Sequence, residues 1–180
     1  HHRDIELLFN PLKKLLSQKD YNILVGGYGE HKDYWNYVTQ IFTNAGQLDP
    51  ARYLKTEHLD CYNYALPYNL CDLMLAPLED TLFNRCKSNL KVLEAGAFSL
   101  PIICSNIEPY KEFIKEGLVY SSEGKWHERI KDCIKYPQKG IKMGQRLNEY
   151  VREYYNIETI NKKRYESILS IMDSRPQSSN

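Results

Sequence analysis

Residues 84–94 read N-R-C-K-S-N-L-K-V-L-E, crowding Arg85, Lys87 and Lys91 ahead of Glu94. The surrounding residues 72–110 predict strand, polar loop, helix, short turn, strand and loop, which puts these cations at a loop-to-helix junction. An exposed cation in a first helical turn opposes the helix dipole by about 0.3–1 kcal/mol. A bound anion reverses that sign, because the free backbone N–H groups and the lysines then face it together. The chemistry on offer is recognition of a phosphate-bearing ligand. Asn84 and Ser88 add an amide and a hydroxyl that can cap the helix or bond phosphate oxygens without adding charge. Lys87, Lys91 and Glu94 share one helical stripe, while Cys86, Leu90, Leu93 and Ala97 share the side expected to be buried. The stripe also fits a solvated face with a Lys91–Glu94 ion pair worth little. The cations beside Asn84 and Ser88 favour the ligand.

The elements that must position these residues follow from periodicity. Ile5, Leu8, Leu12, Leu15 and Leu16 recur at helical spacing, with Asp4 placed to cap the start and Pro11 to kink or split the helix. A buried strand over 23–25 ends in the glycines Gly26, Gly27 and Gly29, which fit a plain turn as well as a binding loop. A helix is expected over 33–45 with Gly46 as its stop, a strand over 51–58 and a short helix over 62–70. Then come a strand at 73–76, a loop at 77–84, a helix at 87–98 and a strand at 102–105. A short helix at 108–115 and a strand at 118–120 precede helices at 123–135, 140–154 and 157–172, the last with Ile160, Tyr165, Ile168 and Ile171 apolar.

Short apolar strands alternating with helices predict an α/β fold, a Rossmann-like parallel sheet with helices on both faces. Ligands of such folds sit beyond the carboxyl ends of the strands. The loops at 26–29, 77–87 and 105–110 should therefore line one rim, with Tyr110 able to reach it. Residues 1–173 read as one domain, and 174–180 carry no packing signal and are expected to be disordered.

Composition narrows the classes. A chain of 180 residues is long enough for one well-buried domain, and a net charge of +1 argues against a nucleic-acid binder. No apolar run approaches membrane-spanning length and no signal-peptide core occurs, while a peripheral membrane contact stays open. The cysteines Cys61, Cys71, Cys86, Cys104 and Cys133 are odd in number and irregular in spacing, which fits reduced thiols and a cytoplasmic location. His31, His58 and His127 lack metal-ligand spacing, and no metal or cofactor is expected. Glu79 and Asp80 read as solvated loop carboxylates, with a sugar-facing pair as the alternative.

Three strings carry a family resemblance: Y-x-L-C-D-L-M-L-A-P-L at 68–78, F-N-R-C-K-S-N-L-K-V-L-E-A-G-A at 83–97 and L-P-I-I-C-S at 100–105. Together they resemble the donor-binding half of GT-B glycosyltransferases. They are most similar to the group 1 retaining enzymes that build bacterial surface glycans. The resemblance covers nearly the whole chain. It implies that Glu94 matches the second glutamate of the family's Glu, seven residues, Glu motif and accepts bonds from donor ribose hydroxyls. Lys87 and Ser88 match the diphosphate-binding turn, with Asn84 and Lys91 beside it, and Gly26 and Gly27 match glycines that let a nucleotide approach the backbone. The first motif glutamate is Cys86 here, with Asn84 or Asp80 as candidate substitutes. The family's basic pair for the diphosphate is mostly missing, with Arg3 as a remnant or His1 and His2 as tag residues.

The resemblance further implies a nucleotide-diphosphate sugar as donor and a preceding acceptor-binding domain or partner subunit outside these residues. Two other classes fit the residues: a non-catalytic interaction module that keeps the half-fold, and a sugar-nucleotide epimerase of the same fold.

Overall fold

The computed structural model describes residues 2–16, 21–28, 32–43, 50–57 and 59–173. Expectations for His1, Gly29, His31, Ala45, Gly46, His58 and the 174–180 tail lie outside the described residues. The chain opens with two short helices, α1 (His2–Glu6) and α2 (Phe9–Leu16), and continues through β1 (Ile23–Tyr28), α3 (Lys32–Thr43) and β2 (Tyr53–Glu57). After a 3-10 turn at Leu66–Leu70 come β3 (Met74–Ala76), α4 (Leu82–Arg85), α5 (Leu90–Ala97) and β4 (Ile102–Cys104). The remainder is α6 (Lys111–Lys115), β5 (Tyr120–Ser121), α7 (Trp126–Lys135), α8 (Pro137–Tyr154) and α9 (Ile157–Asp173).

All described strand pairings are parallel: β1 with β2, and β3 with β4 and β4 with β5. The expected parallel sheet is thus present as a two-stranded and a three-stranded ladder. Strand β4 shows why its sequence is Ile-Ile-Cys, since all three residues are fully buried. Successive strand side chains point to opposite faces. Ile103 therefore joins the core made by α2, α3 and α7, whereas Ile102 and Cys104 join the core made by α5, α6 and α8. Leu75 and Met74 of β3 divide the same way. A sheet covered on both faces cannot tolerate polar residues, and that accounts for the unbroken apolar runs.

The helices present the stripes this packing needs. Leu12, Leu15 and Leu16 of α2 and Trp126, Ile130 and Cys133 of α7 are buried on one face of the sheet. On the other face α8 buries Gly140, Gly144 and Leu147 against α5 and its C-terminal turn. That turn ends α5 with Ser99 in the left-handed conformation, φ 55°, and the Leu100 N–H donating to the Ala95 carbonyl at 2.9 Å.

Several local expectations change. The split in the first helix falls at Leu7 and Leu8 rather than at Pro11, which lies inside α2. Strand β1 runs three residues beyond Val25. The apolar residues Tyr165, Ile168 and Ile171 of α9 are exposed, and α9 buries no side chain. Among the described residues no helix is long and apolar enough to cross a membrane.

Candidate functional site

The loop leaving β3 is fixed before it reaches any charged residue. The Leu78 N–H donates to Ser105 Oγ at 2.8 Å, tying this loop to the one that follows β4. Thr81 then caps α4, its hydroxyl accepting from the Asn84 N–H at 3.2 Å. Arg85 turns back onto Asp80 in a two-point contact, Nε to Oδ1 at 2.6 Å and Nη2 to Oδ2 at 2.9 Å. That guanidinium holds the Asp80 carboxyl below its ordinary range. After α4 the chain folds tightly, with the Cys86 and Lys87 N–H groups donating to the Phe83 and Asn84 carbonyls at 3.2 Å each.

This turn corrects the expected helix start. α5 begins at Leu90, so Lys87 and Ser88 precede it and only Lys91 lies in its first turn. The dipole argument therefore applies to Lys91 alone among the lysines. Three of the four positions expected to be buried change sides, and Leu93 packs against the core only in part. Cys86, Leu90 and Ala97 are exposed and Leu93 half-buried, whereas Val92, Glu94, Ala95 and Gly96 are buried. α8 packs on the Gly96 side of α5 through Leu147 and Val151, while Glu94 is buried on another side, where it meets Tyr68.

Asp4 is the residue around which the junction is built. It is not the helix cap its position suggested. It lies inside α1, is 8% exposed, and reaches residues about eighty positions away. Its Oδ1 accepts from the Glu79 N–H at 2.8 Å and from Asn84 Nδ2 at 2.7 Å. Its Oδ2 stands 3.4 Å from Lys87 Nζ. Asn84, 5% exposed, completes the knot by donating to the Glu79 carbonyl at 2.9 Å. Lys87 also lies 5.3 Å from the centre of the Phe83 ring. Arg3 approaches Glu79 at 3.7 Å across an open cleft of about 310 Å³, lined by Arg3, Asp4, Glu79, Thr81, Phe83, Asn84 and Lys87.

Glu94 occupies a separate, well-held position. Its Oε2 accepts from the Tyr68 hydroxyl and from Lys91 Nζ, the latter at 2.8 Å. The Tyr68 ring stacks on Phe98 at 5.3 Å, which orients the hydroxyl. Burial, reinforced by the bond to Glu94, raises the Tyr68 hydroxyl pKa well above the ordinary phenol value. Among the described residues Oε1 of Glu94 takes no hydrogen bond, leaving one oxygen of a buried carboxylate available.

Of the residues singled out in the sequence, Asn84 and Lys87 line the cleft, and Lys91 and Glu94 pair on α5. Ser88 is exposed between them. Gly26 and Gly27 do not form a loop after a strand, because both lie within β1. Tyr110 does not reach the rim. It is 2% exposed in the core, and burial raises its hydroxyl pKa. Glu79 and Asp80 do not form an acidic pair, since each meets its own arginine. His127 faces the Pro11 carbonyl at 3.3 Å, and no metal-holding group of side chains occurs among the described residues. Sequence reasoning missed the roles of Asp4 and Tyr68. No local pattern signals Asp4, because its partners are distant in the chain. Tyr68 lay inside a motif string without any chemistry attached to it.

No family model matches the chain, and no curated protein matches it in sequence. Solved structures do. A glycosyltransferase from Rickettsia africae ESF-5 matches 97% of this chain and 46% of its own at a TM-score of 0.78 and 17% identity. Anabaena HepE in complex with UDP and glucose matches 92% of this chain and 44% of its own at a TM-score of 0.71 and 16% identity. The chain thus spans less than half the length of each of these structures. At such identities the likeness shows the fold: this chain has a glycosyltransferase-like α/β fold with a Rossmann-like parallel sheet.

Proposed function

We propose that residues 1–173 form the donor-binding half of a glycosyltransferase that takes a nucleotide-diphosphate sugar. The observation that carries this reading is the fold likeness over 97% of the chain to a glycosyltransferase. The complex of HepE with UDP and glucose supports a nucleotide sugar as the ligand. In this reading Glu94 meets the ribose hydroxyls through Oε1. Its other oxygen is held by Tyr68 and Lys91, so the acceptor is preorganised rather than ordered on binding. The diphosphate lies toward the Lys87–Ser88 turn and the cleft, with Arg3 at the far wall and Lys91 beside it. Positive charge and the start of α5 then stabilise the departing diphosphate without a metal ion. No residue described here is assigned to the sugar-transfer step itself. Catalysis would need an acceptor-binding domain or subunit, and the motif strings favour the retaining group 1 enzymes of surface-glycan synthesis. Such an enzyme would act in the cytoplasm, with its acceptor at the inner face of a membrane.

A second reading, a non-catalytic module, draws on one feature: Lys87 already faces the Asp4 carboxylate at 3.4 Å. Titration calorimetry with UDP, ADP, GDP and their glucose conjugates separates the two. The donor reading expects saturable binding, weakened at least about tenfold in Glu94→Ala and Lys87→Ala, a loss typical of one charge-assisted bond. Absence of binding by the folded protein, or unchanged affinity in both variants, refutes it and favours the module.

A further inference from the structure

The carboxylate of Asp4 is placed where an anion-binding cleft would ordinarily exclude negative charge. Its two oxygens meet different groups. Oδ1 takes two short bonds, 2.8 Å from the Glu79 N–H and 2.7 Å from Asn84 Nδ2, which hold the loop between β3 and α4. Oδ2 meets Lys87 Nζ at a looser 3.4 Å, and the Lys87 side chain is 20% exposed toward the cleft. The first pair of bonds needs only an acceptor atom, which a neutral amide could supply. An amide in place of the carboxylate keeps both of these bonds, so removing the charge isolates its effect on what approaches Lys87.

The consequence depends on ligand charge, and it rests on the donor-binding reading above. A free nucleoside diphosphate has a terminal phosphate whose second ionisation falls at about pH 6, whereas in the sugar ester that oxygen is esterified. The free diphosphate carries one more negative charge at pH 8. We propose that Asp4 is a positioning residue that sets the charge the cleft accepts. Oδ1 holds the loop while Oδ2 partly neutralises Lys87, so the sugar-bearing donor is favoured over the free diphosphate left after transfer. One added unit charge about 5 Å from a carboxylate in a water-like dielectric changes affinity by about fourfold, and by more where water is excluded.

The test compares UDP with UDP-glucose, ADP with ADP-glucose and GDP with GDP-glucose by calorimetry at pH 8, in wild type, Asp4→Asn and Asp4→Glu. Asp4→Asn keeps the acceptor and removes the charge. It should shift the affinity ratio at least about fourfold toward the free diphosphate, while Asp4→Glu keeps the wild-type ratio. If Asp4→Asn does not fold, Asp4→Ser keeps an oxygen acceptor and carries the same expectation. A purely structural role would weaken both members of each pair equally, and an unmoved ratio overturns the inference while leaving the donor reading intact. If wild type binds no member of any pair, the donor reading itself fails and this inference falls with it.

Discussion

Gly144 on α8 has no room for a methyl group. An ideal Cβ there would stand 2.0 Å from the Ser99 carbonyl oxygen and 2.7 Å from the Ser99 carbonyl carbon. Both atoms are backbone, in the turn that ends α5, where Ser99 is left-handed at φ 55° and the Ser99 N–H donates to the Gly96 carbonyl at 3.0 Å. The turn must retreat by roughly 1–1.5 Å to restore ordinary contact, and doing so breaks the cap. Overpacking of this kind costs about 1–3 kcal/mol, sometimes more, and the gain in helix propensity offsets roughly 1 kcal/mol. Gly140, one turn earlier on the same helix, meets only Pro101 carbons at 3.4 Å, an ordinary contact. Gly140→Ala should therefore be neutral or stabilising by up to about 1 kcal/mol. Gly144→Ala should come out about 1–3 kcal/mol less stable than Gly140→Ala, a net loss against wild type of up to about 2 kcal/mol, or about 4–8 °C in melting temperature. Urea unfolding followed by circular dichroism measures both. Because α5 carries Lys91 and Glu94, the nucleotide binding proposed above should weaken with Gly144→Ala even where the fold is fully populated. Equal stability of the two alanine variants within about 0.5 kcal/mol would refute the argument that backbone proximity, not helix propensity, selects glycine here.

Two further outcomes follow from the buried groups. Tyr68→Phe keeps the ring stacked on Phe98 but leaves Glu94 Oε2 with Lys91 alone, so stability should fall by about 1–2 kcal/mol in urea unfolding. An unchanged midpoint would mean the hydroxyl contributes nothing. Burial pushes the Cys104 thiol from 9.0 up to about 12. The folded value exceeds the unfolded one, so this contribution is complete below pH 9.0 and is lost as pH rises toward about 12. The unfolding free energy from urea titrations should fall above pH 9 by up to about 1.4 kcal/mol per pH unit from this group, and less steeply in Cys104→Ala. A Cys104→Ala profile that falls as steeply as wild type sinks the assignment.

Much of the architecture was legible in the chain because it is written in local periodicity. Unbroken apolar triplets such as Ile102, Ile103 and Cys104 announce a strand covered on both faces, and leucines at helical spacing announce α2. The loop between β3 and α5 could be named as the chemically interesting region from its residue types alone. Its boundaries could not, because the stop after α4 and the start of α5 depend on how the Cys86–Asn89 turn bonds back to Phe83 and Asn84. The sidedness of α5 was decided by what packs on it, Leu147 and Val151 of α8 against Gly96 and the Tyr68 hydroxyl against Glu94.

The sequence by itself determined the α/β class, the order of the strands and longer helices, and the presence of cations and a glutamate near one strand end, but not the short helix α4 inside the expected loop. Tertiary structure alone decided what those charges meet. It brought Asp4 to Asn84 and Lys87, and Tyr68 to Glu94, across separations no short-range pattern spans. The physical reason is that helix and strand preferences act over a few neighbouring residues. The partner of a buried charge is set by where whole elements pack, and by the cost of leaving that charge unpaired.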